Sequence, residues 1–112
     1  MTTKTNPFTD EQKRAVRKIE RLIFARDDAA YREQTAWANE NFERLKPIVE
    51  RAGRALNDAI GGSAANRILG RVACNPPADE AVLAVVAKPY ISQADHDSLI
   101  EGWVKFFGSV PS

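Results

Sequence analysis

Apolar residues along this chain recur at spacings of three and four, and that rhythm predicts helices. At about 100° per residue, Ala15, Val16, Ile19, Leu22 and Ile23 fall on one side of a helix, opposite Lys13, Arg14, Arg17, Lys18 and Arg21. Thr9 followed by Gln12 forms a capping box, so this first helix is expected to begin near Asp10. Asp27 or Asp28 is placed to cap a second helix, in which Tyr31, Thr35, Ala38, Phe42 and Leu45 keep the same rhythm and Val49, Ala52 and Leu56 continue it. Pro47 interrupts that run without a Gly, Asn or Ser nearby to make a loop, which predicts a bend in a continuing helix.

Gly61 and Gly62 end the run, Ser63 is placed to cap the next helix, and Asn75, Pro76 and Pro77 stop that one. Residues 79–87, DEAVLAVVA, suit either a buried strand or a buried helix. Helix is favoured, because no second strand is available as a partner. Ser92 with Asp95 opens a last helix that reaches about Phe107 before Gly108. The expectation is an all-α, compact bundle of five or six helices with one bend near Pro47. The single helical domain spans 10–108, between tails at 1–9 and 109–112. Its predicted core comprises Val16, Ile19, Ile23, Trp37, Phe42, Leu45, Val49, Leu56, Ile60, Ile68, Val72, Val82, Val85, Leu99 and Trp103.

Composition supports a folded chain: 112 residues, 44% hydrophobic and 28% charged, are enough for one core without staples. A single cysteine, Cys74, excludes an internal disulfide, and the polar opening MTTKTNPFTDEQ has no signal-peptide character. A cytoplasmic location is the expectation. The longest apolar run, AVLAVVA at 81–87, is far short of the roughly 20 residues that a membrane span requires.

The net charge of +1 conceals alternating blocks. Residues 10–26 and 46–74 each carry +3, whereas 27–45 and 75–112 each carry −3. Such blocks let neighbouring helices attract one another, or build a basic face for a polyanion. Lys13, Arg14, Arg17, Lys18 and Arg21 form the basic stripe, which the acidic second helix is placed to cover in part.

The stretch LNDAIGGSAANRILGR, residues 56–71, resembles a DNA-reading helix-turn-helix only superficially. With Gly61 in the turn, Asn57 stands where a small apolar residue belongs, Gly62 replaces the apolar residue after the turn, and Arg67 occupies a core contact. Moving the turn to Gly62 puts Asp58 into the tight helix crossing without a partner. A glycine corner between packed helices accounts for it better. Gly-Gly-Ser ahead of a helix could also hold a phosphate through free N–H groups, but it lacks the lysine and spacing of a P-loop.

Leu99, Ile100, Trp103, Val104, Phe106 and Phe107 surround so much of the last helix that Trp103, Phe106 and Phe107 are candidates for an apolar interface with another chain. Gly102 fits a close helix approach. His96, the only histidine, lacks converging partners for catalysis or a metal, and Cys74 is read as a packed thiol. Asp27 with Asp28, and Asp79 with Glu80, sit at helix starts, where the macrodipole favours negative charge. No catalytic residue, cofactor or metal is implied. The sequence favours a non-catalytic interaction protein, a subunit, adaptor or inhibitor, whose partner is another protein chain or a second copy of itself. The alternative is a nucleic-acid-binding accessory protein that uses the basic stripe.

Overall fold

A computed structural model describes residues 7–109, and every regular element among them is helical. α1 spans Asp10–Phe24, α2 Asp28–Glu40, α3 Phe42–Ile60, α4 Gly62–Leu69, α5 Ala78–Ala87 and α6 Gln93–Phe107. Short 3-10 turns follow α4 at Gly70–Val72 and α5 at Lys88–Tyr90. The all-α expectation therefore holds, and the valine-rich segment is a helix.

That segment is also the centre of the molecule. Past Glu80, α5 carries no charged side chain, and Ala81, Val82, Leu83, Ala84, Val86 and Ala87 are all buried. Helices α1, α3, α4 and α6 pack around it. Small residues let these neighbours approach closely, while burial of each larger chain contributes about 1.5–3 kcal/mol. α1 adds Val16, Ile19 and Ile23 to this core, α3 adds Leu45 and Leu56, and α6 adds Leu99 and Trp103.

Local signals set most of the boundaries. The Thr9 hydroxyl accepts the Gln12 N–H at 3.0 Å while the Gln12 side chain accepts the Thr9 N–H at 2.9 Å, closing the capping box of α1. Asp27 caps α2 through the Ala30 N–H at 2.9 Å, and Ser92 caps α6 through the Asp95 N–H at 3.1 Å. Gly108 ends α6 in the left-handed conformation, φ 78°.

Three local expectations need correction. The helix expected to run on from Asp28 past Leu45 is divided at Asn41 into α2 and α3, and Pro47 sits inside α3. Both the backbone N–H and the side-chain amide of Asn41 donate to the Trp37 carbonyl, at 3.1 and 2.9 Å, and the Asn41 carbonyl accepts the Leu45 N–H at 3.0 Å. One asparagine thus closes one helix and opens the next. The restart rotates Phe42 out of the core, leaving it 55% exposed. Ser63 does not cap α4, because Gly61 at φ 91° already turns the chain and Ser63 lies within the helix.

Polar ties complete the bundle. Arg26, in the turn between α1 and α2, donates to the Pro76 carbonyl at 2.7 Å, to Asn75 Oδ1 at 2.9 Å and to the buried Gln34 side chain. Burial pulls its pKa below the usual arginine value. Arg51 and Asp95 form a two-armed pair at 3.0 and 2.8 Å between α3 and α6, which holds Asp95 below the usual carboxylate range.

Candidate nucleic-acid interface

α1 buries Ala15, Val16, Ile19 and Ile23 against the bundle, so the opposite side of the same helix must face outward. Arg14, Arg17, Lys18 and Arg21 are exposed there, and Lys13 is half-buried at the edge of the stripe. The acidic α2 packs on α6 and α3, whereas α1 packs on α5. The negative block 27–45 therefore supplies no ion pair to the stripe among the described residues.

The second positive block arrives from α4. Gly61 turns the chain at the end of α3, and α4 and its 3-10 extension carry Arg67 and Arg71. These two arginines line a hollow of about 810 Å³ together with Lys13, Arg17 and the Gly61–Gly62–Ser63 corner. A neighbouring hollow of about 820 Å³ is lined by Arg14, Arg17, Lys18, Glu20, Arg21 and Phe24. Arg17 belongs to both. Two sequence blocks that read separately as positive thus form one continuous cationic surface.

Its internal neutralisation is slight. Lys13 reaches Asp10 at 3.7 Å and Arg71 reaches Glu20 at 3.3 Å. Arg14, Arg17, Lys18, Arg21 and Arg67 have no ion pair among the described residues. Exposed cations cost little to leave in water, yet they repel one another at this spacing. The surface is therefore set to gain from an anionic ligand. Arg67 and Arg71 lie far from the stripe along the sequence, where the positive block 46–74 is their only signal.

The aromatic candidates on α6 are placed differently. Trp103 is 1% exposed and stacks on Phe107 with ring centroids 4.1 Å apart, so it is a core residue and not part of an exposed interface. Phe106 meets Trp37 edge-on at 6.4 Å. Gly102 makes this possible: a Cβ there would stand 2.6 Å from the Trp37 ring and 3.0 Å from Pro77. The aromatic rings of α6 are thus engaged within the chain, Phe106 and Phe107 half-buried, while Val104 stays exposed.

A third hollow, about 500 Å³, opens between α2, α3 and the start of α5. Phe42, Leu45, Val49 and Leu83 line it, with Lys46, Glu50, Asp79 and Glu80 among its polar members. Burial raises both the Asp79 and the Glu80 carboxyl above the usual range. Asp79 accepts the Cys74 and Asn75 N–H groups at 3.2 and 3.3 Å, holding Cys74 at a positive φ of 65°. Glu80 Oε2 is buried without a hydrogen-bond partner. Cys74 itself is exposed at the hollow, contrary to its reading as a packed thiol, because the left-handed turn aims it away from the core.

Buried His96 lies 3.6 Å from Asp97, beyond hydrogen-bond reach, and no group of three His, Cys, Asp or Glu side chains suited to a metal exists among the described residues. None of the described helices is long and apolar enough to cross a membrane. Comparison of the chain with protein-family models, curated proteins and solved structures finds no match.

Proposed function

We propose that this chain is a non-catalytic binding module whose cationic face takes a nucleic-acid backbone. One observation carries the reading: the unpaired cations of α1 and the arginines of α4 and its 3-10 extension share a surface that no acidic helix covers. A row of phosphates supplies anions at intervals along a line, as the stripe does cations, and each neutralised phosphate releases condensed counterions. Fluorescence anisotropy with a labelled oligonucleotide tests it. Binding that engages about five phosphates should weaken roughly a hundredfold between about 50 and 200 mM salt. Charge reversal at Arg17 and Lys18 should abolish it. No binding at low salt would overturn the proposal.

The hollow beside Phe42 favours a second reading, a protein partner. Its walls are apolar, and its charged members, Lys46 against Glu50, Asp79 and Glu80, leave it net negative. The partner chemistry that complements it is an amphipathic helix with a basic residue beside its apolar stripe. Phe42→Asp should weaken capture of such a partner without disturbing the fold, since Phe42 is mostly outside the core.

A further inference from the structure

We infer that the nucleic acid this face takes is single-stranded, with Phe24 as the platform on which a base stacks. The inference rests on the nucleic-acid reading above and names its ligand more narrowly. Phe24 is the last residue of α1 and, at 64% exposure, the most exposed large apolar side chain among the described residues. It does not stand apart from the cations. Arg14, Arg17, Arg21 and Phe24 repeat at spacings of three, four and three, which places them in one stripe along the helix. Phe24 also lines the same hollow as Arg14, Arg17, Lys18 and Arg21.

A cationic track ending in an open aromatic face suits a ligand that offers anions and a stacking face together. A polyphosphate would use the arginines and leave the ring in water. A duplex presents phosphates outward and keeps its base faces stacked inside. A single strand offers both at once, phosphates for the track and a free base face for the ring, and such stacking is tolerant of base identity. The Phe24 backbone is held in the last turn of α1, where the Ala25 N–H donates to the Arg21 carbonyl at 3.1 Å.

The test is anisotropy with fluorescein-labelled oligothymidylate, alone and annealed to oligodeoxyadenylate, with inorganic polyphosphate as a competitor. The single strand should bind more tightly than the duplex. Phe24→Ala should weaken single-strand binding about tenfold or more while polyphosphate competes for the remaining binding as before. Phe24→Trp should retain affinity, and the added tryptophan's emission should be quenched by the oligonucleotide. Because Phe24 is exposed, an unchanged denaturation midpoint in both variants confirms that the fold is intact. Equal affinity for duplex and single strand, unaltered by Phe24→Ala, would overturn the stacking inference while leaving the polyanion reading standing. Absence of binding to all three probes at low salt would remove both.

Discussion

α1 and α6 are built to the same plan and end in opposite roles. Each has 15 residues, and each starts from a hydroxyl cap on the backbone N–H of its third residue. α1 buries Ala15, Val16, Ile19 and Ile23, and its cations stay on the outside, with Phe24 among them, without ion pairs beyond Lys13 with Asp10. α6 is aromatic over much of its circumference, and its rings find one another, Trp37 and the core. Apolar contact is non-directional, so surplus hydrophobicity is absorbed wherever a neighbouring element offers any surface. A cation needs an oxygen within about 4 Å, and the helix carrying suitable acids packed elsewhere. In a chain this small, unpaired charge marks an outer surface better than surplus aromatics do.

The sharpest way to break that comparison is to cut into α6. Trp103→Ala should destabilise the protein by about 3–5 kcal/mol, measured by urea denaturation. Phe24→Ala on α1 should change it by less than about 0.5 kcal/mol. Equal effects would mean that the two helices are not used differently. Gly102→Ala comes next. Alanine is about 1 kcal/mol better than glycine in a helix interior, yet here its Cβ would press on the Trp37 ring at 2.6 Å. A net loss of about 1–3 kcal/mol is expected, and Trp37→Phe, which removes the clashing atoms, should recover part of it in a double-mutant cycle.

What was legible in the sequence follows from the range of each interaction. The capping box at Thr9 and Gln12, the caps at Asp27 and Ser92 and the glycine stop at Gly108 are formed by residues within four positions, so the local pattern contains them. The Asn41 break escaped because its signal, an asparagine amide on the Trp37 carbonyl, was weaker in the sequence than the proline six positions later. The stripe on α1 was legible, but its union with Arg67 and Arg71 depends on how α1 and α4 meet across the bundle. Burial of Trp103 depends likewise on α5 becoming the central helix, which its composition permits without dictating which neighbours surround it.

The start of α5 lies between those extremes, polar yet partly enclosed. Burial raises the Glu80 carboxyl above its ordinary range, so the folded state holds that proton more tightly than the unfolded chain. Its contribution is most favourable below the unfolded pKa and is lost as pH rises through the raised folded pKa. Asp79 is shifted in the same direction, also by burial. Glu80→Gln should therefore flatten the fall in stability above the ordinary glutamate range and leave the variant more stable than the parent near neutral pH. A steeper fall in the variant, followed by thermal unfolding across pH, would contradict the assigned cause.

The smallest expected effect tests whether the cationic face is free. Arg17 has Lys13, Arg14 and Arg21 at helical neighbour spacings and only Glu20 to offset them, and Glu20 is engaged by Arg71. Like charges at these spacings destabilise a helix by a few tenths of a kcal/mol each. Arg17→Gln should therefore raise the unfolding midpoint slightly at low salt, although it removes a residue proposed to bind phosphate. The gain should vanish near 1 M salt, where the screening length falls to about 3 Å. A loss of stability at low salt would mean that Arg17 already has an anionic partner within the fold, and the contrast between α1 and α6 would fail at its charged end.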